Sequence, residues 1–137
     1  MTHQQLAQAA VDAKGLAYAP YSQFHVGAAL LGKSGKVYIG CNVESAAYSG
    51  CICAERTALT KAVSEGERDF AAIAIAGSLQ GADGDYCFPC GECRQMLNEF
   101  VMGEAFEVVI AKTGEDFLVH PFAELLPYGF SGKNLNK

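Results

Sequence analysis

The sequence predicts an α/β domain in which helices cover a sheet of about five strands. Half of the 137 residues are apolar, which is enough to build a buried core. Segments with the spacing of amphipathic helices alternate with short apolar segments typical of buried strands, in the order α-β-β-α-β-α-β-β. No linker, internal repeat or low-complexity tract interrupts this order, so we expect one domain over residues 1–137.

The chain begins with a predicted amphipathic helix over residues 3–18. Thr2 and Gln5 fit a capping box at its start, and apolar residues then recur at helical spacing. The turn-forming segment Ala19-Pro20-Tyr21-Ser22 is expected to end this helix. The elements expected next are two strands over residues 26–31 and 36–40, a hairpin loop between them, and an irregular polar loop over residues 41–52.

The second half of the chain alternates in the same way. A helix is predicted from Cys53 to Glu65, and Gly66 is expected to terminate it. The elements predicted after it are a strand over residues 70–76, a surface loop over 77–88, a helix over 90–102, strands over 107–111 and 116–120, and a short helix over 121–126.

Charge and hydropathy argue against two kinds of partner. Fifteen acidic residues against ten basic ones give a formal net charge of −5 at pH 7, and Lys and Arg form no cluster. Nucleic-acid partners bind a basic face, so none is expected here. No apolar stretch reaches the length of a membrane span, and the N-terminal segment lacks the pattern of a secretion signal. We therefore expect a cytoplasmic protein with no membrane partner.

Two cysteine clusters carry the strongest chemical signal. One is Cys53-Ala54-Glu55, and the other is Pro89-Cys90-Gly91-Glu92-Cys93. Catalytic zinc sites use three protein ligands and leave a fourth position for water, whose pKa the metal lowers toward neutrality. Three cysteines and a glutamate that moves protons without binding metal are one known form of such a site. We predict Cys53, Cys90 and Cys93 as ligands of one Zn²⁺, and Glu55 as the catalytic proton carrier.

Both clusters fall where helices are predicted to start. Three thiolates and Zn²⁺ sum to a charge of −1, and the positive ends of two helix dipoles would offset this excess and favour thiolates. Arg56 could add a hydrogen bond to a ligand sulfur, although a surface cation at a helix start is the alternative. Arg94 is assigned no role. His25 and His120 are not expected to bind metal, because neither lies at ligand spacing from a cysteine.

The competing metal site is a closed, structural one in which Cys51 joins the three predicted ligands. Structural zinc is often held by four thiolates, but the pairs are normally spaced C-x₂₋₄-C. Cys51-Ile52-Cys53 is C-x-C, so the spacing favours the open site. The remaining cysteines are interpreted as small buried residues or incidental thiols: Cys41, Cys51 and Cys87.

Five segments extend the pattern beyond the cysteines. They are Ala19 to Ala29 (APYSQFHVGAA), Gly40 to Tyr48 (GCNVESAAY), Cys53 to Ala58 (CAERTA), Pro89 to Gln95 (PCGECRQ) and Leu125 to Phe130 (LLPYGF). In order and spacing these segments resemble the free-nucleoside cytidine deaminases, and in particular their short, three-cysteine, homotetrameric class. The resemblance implies a three-layer α/β/α domain with a mixed sheet, and one zinc ion per subunit.

The resemblance also implies a reaction: hydrolytic deamination of cytidine and 2′-deoxycytidine at C4, in pyrimidine salvage, with Glu55 protonating ring N3 and then the leaving amine. By position it implies that Asn42 and Glu44 bind the ribose 3′-hydroxyl. Four further contact residues are implied for a pocket shared within a homotetramer: Phe24 against the pyrimidine, the Ala54 backbone at the base edge, and Tyr48 and Phe130 from neighbouring subunits.

The chain departs from the family pattern at Ser45, at Glu92 and in a longer loop over residues 77–88. Two other functions stay open at this point. One is deamination of a different amino-substituted heterocycle, such as a nucleoside antibiotic or a nucleotide. The other is a zinc-binding module without enzymatic activity, which would use the four-cysteine site.

Overall fold

A computed structural model describes residues 1–135 of the chain. Its strands are β1 (Phe24–Gly32), β2 (Val37–Cys41), β3 (Phe70–Leu79), β4 (Glu107–Ala111) and β5 (Phe117–Pro121). They form one sheet in the spatial order β2-β1-β3-β4-β5. Strands β3 and β4 are parallel, and the other neighbours are antiparallel, so the sheet is mixed as expected.

Four α-helices flank this sheet or follow it: α1 (His3–Ala13), α2 (Ala54–Ser64), α3 (Gly91–Val101) and α4 (Phe122–Leu125). Short 3₁₀ helices occupy Lys14–Leu16, Tyr48–Gly50 and Gly132–Leu135. The order α-β-β-α-β-α-β-β-α agrees with the sequence analysis. Within residues 1–135, no helix combines the length and the apolar character that crossing a membrane requires.

The alternation of side chains along β1 and β3 builds the three layers. Ala28 and Leu30 of β1 pack with Ile73 and Ile75 of β3 in a core that α2 and α3 cover. The residues between them point to the opposite face, where alanines of the sheet pack against Leu6, Ala7 and Ala10 of α1. Since one face carries α1 and the other carries α2 and α3, the three-layer α/β/α prediction is confirmed.

The first helix is shorter than predicted. Its capping box is present, because the Thr2 hydroxyl accepts from the Gln5 backbone while the Gln5 side chain accepts from the Thr2 backbone. The α-helix nevertheless ends at Ala13, and the prediction of helix up to residue 18 is wrong for its last residues. Tyr18 instead pairs its backbone with the segment after β2, donating to Asn42 and accepting from Glu44. This pairing draws residues 42–44 toward the first helix.

Strand β3 is longer than predicted. The surface loop expected from residue 77 begins only after Leu79, because residues 77–79 continue the ladder with β1. Leu79 pairs with Phe24 and Gly77 with Val26, so β1 also starts two residues earlier than expected. Glycine and polar residues disfavour strand in isolation, but a partner strand already in register overrides that preference.

One glycine allows α2 to pack closely against the sheet, and another terminates this helix. A Cβ atom on Gly40 of β2 would lie 2.3 Å from the Ala54 carbonyl oxygen and 2.5 Å from the Ala58 nitrogen. Helix α2 therefore approaches β2 more closely than any side chain would allow. Gly66 follows the helix with φ of +98°, the left-handed conformation that terminates helices, as predicted.

Candidate metal centre and active site

The two cysteine clusters meet at the N-termini of two helices. Cys53 is the N-cap of α2 and Cys90 is the N-cap of α3, while Cys93 is the third residue of α3. Neither N-cap sulfur makes a capping hydrogen bond to the backbone of its own helix, which leaves both sulfurs for other partners. The Sγ atoms of Cys90 and Cys93 are 3.4 Å apart, and those of Cys53 and Cys90 are 3.7 Å apart. The predicted trio is therefore assembled in space.

The three sulfurs fit a zinc ion. With zinc–sulfur bonds of about 2.3 Å, ligands at two corners of a tetrahedron lie about 3.8 Å apart. The observed separations are close to this value, and all three sulfurs lie within 4.8 Å of one another. Thiolates are soft ligands that suit zinc. Among residues 1–135 no other group of three His, Cys, Asp or Glu side chains converges in this way.

Local charges favour the thiolate form of Cys53. Its pKa is lowered to about 5, chiefly by a hydrogen bond from Cys93, with further contributions from Arg56 and Cys90. The same interaction with Cys53 raises the pKa of Cys93. Nη2 of Arg56 lies 3.8 Å from Cys53 Sγ, where it can donate a hydrogen bond to the sulfur. The positive ends of the α2 and α3 dipoles act on the centre in the same direction.

Glu55 is a buried carboxyl group beside the sulfurs. It is the second residue of α2, and only 4% of its surface is exposed. Burial, the largest cause, and the negative charge of Cys53 together raise its pKa to about 7, against opposing hydrogen bonds from its own backbone N–H and from Cys93. A carboxyl group with a pKa near neutrality can both accept and donate a proton at physiological pH. The position therefore suits general acid–base chemistry.

A pocket of about 610 Å³ opens onto this centre. Its walls come from the segment after β2, the start of α2, and the turn that enters α3. It brings together most of the residues that the sequence analysis singled out: Asn42, Glu44, Tyr48, Cys53, Ala54, Glu55, Arg56 and Cys90. A volume of this size is typical of a site for a small organic ligand.

Residues 1–110 match the family model described as the cytidine and deoxycytidylate deaminase zinc-binding region. The match covers most of the chain and includes all three cysteines. The chain belongs to the cytidine and deoxycytidylate deaminase family.

Individual members of this deaminase family are similar to the chain over nearly its whole length. The cytidine deaminase of Sporosarcina psychrophila is 45% identical over 90% of this chain and 88% of its own length. That of Halalkalibacterium halodurans is 42% identical over 99% of both chains. The crystal structure of cytidine deaminase from Burkholderia pseudomallei is 48% identical, with a TM-score of 0.83 over 95% of this chain and all of that one. The family, its fold and its zinc dependence thus agree with the sequence analysis.

In this deaminase, Asn42 and Glu44 already hold backbone atoms. The Asn42 amide accepts from Val26 N at 2.8 Å and donates to the Phe24 carbonyl at 2.9 Å. The Glu44 carboxylate accepts from the backbone of Tyr21 and Ser22 and from the Ser22 hydroxyl. These hydrogen bonds, first among them the one from the Ser22 side chain, lower the pKa of Glu44. Both side chains are thereby oriented at the pocket wall.

Two aromatic residues from the sequence analysis lie outside the main pocket. Phe24 lines an adjoining cleft of about 420 Å³, with which the pocket shares Cys87. Phe130 lies beyond α3, where Gln95 and Asn98 donate to its carbonyl oxygen. Phe130 is 55% exposed as a residue and does not line the pocket of its own chain. The assignment of Phe130 to a neighbouring subunit's pocket stays a prediction.

Cys51 does not join the other sulfurs. Its Sγ accepts from Ser45 N at 3.3 Å and lies 3.7 Å from the Ser45 carbonyl oxygen. It lines the pocket without belonging to the converging trio. This geometry argues against the four-cysteine structural site.

The sequence analysis assigned no function to several residues of the deaminase pocket. Cys87 and Phe88 reach the pocket from the loop after β3, and Glu92 reaches it from α3. Arg94, which was assigned no role, donates to the Pro89 carbonyl at 2.8 Å and to the Leu125 carbonyl at 2.7 Å, and so fixes the turn that enters α3. Only the position of Arg94 one residue after a ligand could have indicated this function.

Proposed function

We propose that the chain is a zinc-dependent hydrolase that converts cytidine and 2′-deoxycytidine, with water, to uridine and 2′-deoxyuridine and ammonia. The observation that carries the proposal is the convergence of three cysteine sulfurs, two of which line one pocket together with a buried glutamate. Membership of the family and the extended similarity to proteins named cytidine deaminase support it. Pyrimidine salvage is the matching metabolic role.

In this proposal Cys53, Cys90 and Cys93 hold the zinc ion. When bound, zinc supplies a water-derived nucleophile at neutral pH. Glu55 accepts a proton from the attacking water and delivers it to N3 of the cytosine ring. The oxygen of that water forms the new bond to C4. Glu55 then takes the second proton from the resulting hydroxyl group and passes it to the amino group, so that the C4–N bond breaks and ammonia leaves as the C4 carbonyl forms. Because its pKa is raised to about 7, Glu55 can carry out both transfers without a large energetic penalty.

The remaining site residues orient the nucleoside in the same proposal. Ala54 is the first residue of α2, so its N–H has no partner within the helix and is available to the base edge. Asn42 and Glu44 bind the ribose 3′-hydroxyl, which would exclude polynucleotides linked through that atom. Phe24 packs on the pyrimidine when the substrate extends from the pocket into the adjoining cleft.

We further propose that the single domain, residues 1–137, assembles as a homotetramer with shared pockets. Tyr48, Tyr128 and Phe130 are large aromatic residues that are mostly exposed in the isolated chain, as expected for residues that pack against another subunit. All six cysteines are free thiols, which fits a reducing compartment such as the cytoplasm. Sedimentation of the purified protein tests the assembly, and cell fractionation tests the location.

The direct test of the activity follows the cytosine absorbance of cytidine and of 2′-deoxycytidine, together with released ammonia. The control is protein stripped of zinc by a chelator and then reloaded. We expect loss of absorbance with equal molar ammonia, abolished by stripping and restored by zinc. Absence of turnover with both nucleosides by a zinc-loaded protein would contradict the proposal, and a panel of other amino-substituted heterocycles would then identify the substrate.

A further inference from the structure

We infer that Glu92 and Arg56 form a clasp between the two halves of the metal centre, in which Glu92 is a positioning residue that keeps the Arg56 guanidinium against the Cys53 sulfur. The inference rests on the proposed zinc site.

The clasp joins two separate helices. Arg56 is the third residue of α2, whose N-cap is Cys53, and Glu92 is the second residue of α3, whose N-cap is Cys90. Nη1 of Arg56 lies 3.6 Å from Oε1 of Glu92. Nη2 lies 3.8 Å from Cys53 Sγ and 3.4 Å from the carbonyl oxygen of Cys51. One guanidinium therefore contacts groups from both halves of the centre.

The guanidinium depends on these contacts for its orientation. The Arg56 side chain is mostly buried, and its Nε atom is buried without a hydrogen-bond partner among residues 1–135. Its plane is therefore held only through the two Nη atoms, each facing a different partner. Without the Glu92 carboxylate, one of the two fixed points is lost and the plane can rotate away from the sulfur.

A fixed guanidinium should slow the loss of zinc. Cys53 is the only ligand that α2 supplies, whereas Cys90 and Cys93 both come from α3. Release of zinc must break the bond to Cys53 as well as those to the α3 pair. A hydrogen bond from Arg56 stabilises the Cys53 thiolate in the ligating position, as hydrogen bonds to metal ligands generally do.

The expected effect is modest, because Glu92 is largely exposed. Its side chain is 71% exposed, against 20% for Arg56, so solvent and salt screen the pair. Exposed ion pairs typically contribute up to about 1 kcal/mol, which corresponds to roughly a fivefold change in a rate or equilibrium. We therefore expect the rate of zinc release to change by about two- to fivefold.

The test measures the rate at which zinc-loaded protein transfers zinc to an excess of a chromogenic chelator. Glu92→Gln removes the charge with little change of shape, and Glu99→Gln, an exposed glutamate of the same helix, is the matched control. We expect Glu92→Gln to release zinc about two to five times faster than the wild type and Glu99→Gln to release it at the wild-type rate. Glu92→Asp should recover part of the difference.

Two further measurements separate a clasp from a general structural effect. High salt should raise the wild-type rate to that of Glu92→Gln and leave the variant's rate nearly unchanged. In an Arg56→Lys background, Glu92→Gln should add little, because its effect passes through the guanidinium. Release by Glu92→Gln at the wild-type rate, or more slowly, would overturn the clasp.

The proposed function and the clasp fail in different ways. A wild-type protein that takes up no zinc contradicts the proposed function, and the clasp with it. A wild-type protein that binds zinc and deaminates cytidine, with Glu92→Gln and Glu99→Gln releasing zinc alike, contradicts the clasp alone.

Discussion

The start of α2 and the start of α3 have the same local plan and different environments. Each helix begins with a cysteine as N-cap, at Cys53 and Cys90, and each has a glutamate as its second residue. Only 4% of the surface of Glu55 is exposed, whereas the Glu92 side chain is 71% exposed. The third residue also differs, since it is Arg56 in α2 and Cys93, a proposed zinc ligand, in α3.

The comparison shows that burial decides the chemistry of the two glutamates. In both positions a carboxylate complements the helix dipole, so local structure accounts for both equally well. Helix α2 lies close against β2 at Gly40, and its first turn forms the floor of the pocket. Helix α3 presents its first turn at the pocket mouth, where Glu92 meets solvent and Arg56. One glutamate is therefore suited to proton transfer and the other to an ion pair.

The largest effect should come from removing a sulfur from the α3 start. Cys93→Ser should lower zinc affinity by more than about a hundredfold and leave the dialysed protein nearly without metal, because hydroxyl is a far poorer zinc ligand than thiolate. Cys51→Ser is the matched control and should retain one zinc per chain, since Cys51 bonds to Ser45 instead. Zinc content measured by atomic absorption checks both. Equal loss in the two variants would indicate a four-thiolate centre.

The close packing of the α2 start has no counterpart in α3. Gly40→Ala should destabilise the protein by roughly 3 kcal/mol or more, because the new Cβ would overlap backbone atoms of α2 that cannot move aside singly. Gly91→Ala, at the α3 start, meets nothing within 4 Å and should change stability little. Urea unfolding of both variants checks the difference. Equal stability of the two variants would show that the close packing of α2 against Gly40 does not stabilise the protein.

Burial of Glu55 should appear as a pH dependence of stability. The folded-state pKa is about 7 and the ordinary value is 4.5, so between these values the folded protein binds more protons than the unfolded chain. Its stability must therefore fall as pH rises through this window, by up to about 3 kcal/mol in total. Between pH 4.5 and 8, the free energy of unfolding of the metal-free wild type should therefore fall relative to that of metal-free Glu55→Gln. A difference that is constant with pH would contradict the burial.

The smallest effect concerns the loop that leads into α3. The Tyr86 hydroxyl donates to Asp116 at 2.7 Å and ties this loop to the turn between β4 and β5. Tyr86→Phe should cost about 1 kcal/mol of stability, the usual contribution of one hydrogen bond. Tyr18→Phe is the control, because no hydrogen bond of the Tyr18 hydroxyl is found among residues 1–135. An equal shift of the unfolding temperature in both variants would show that the hydrogen bond between Tyr86 and Asp116 does not stabilise the protein.

Much of the fold and the centre could be predicted because the signals are local. Cysteine spacing and the predicted helix starts identified three cysteines whose sulfurs converge in the structure, and apolar periodicity identified every strand of the sheet. The errors lie where a distant partner decides the outcome. Residues 77–79 became strand because β1 lies beside them, and the first helix stopped early because Tyr18 pairs with residues 42–44.

The difference between Glu55 and Glu92 was not readable from local sequence. Both stand second in a helix after a cysteine, and only the tertiary structure, in which Glu55 is 4% exposed, distinguishes them. The functions of Arg94 and Glu92 were missed for the same reason, because their partners lie on other elements.

The most direct test of the difference between the two glutamates is the turnover of cytidine by Glu55→Gln and Glu92→Gln, each saturated with zinc and compared with the wild type. Removing a general acid–base group typically lowers the rate by about a hundredfold to ten-thousandfold. We expect a loss of at least this size in Glu55→Gln, with zinc still bound, and turnover within about fivefold of the wild type in Glu92→Gln. Substantial activity in Glu55→Gln, or an equal loss in both variants, would contradict the assignment of proton transfer to the buried glutamate.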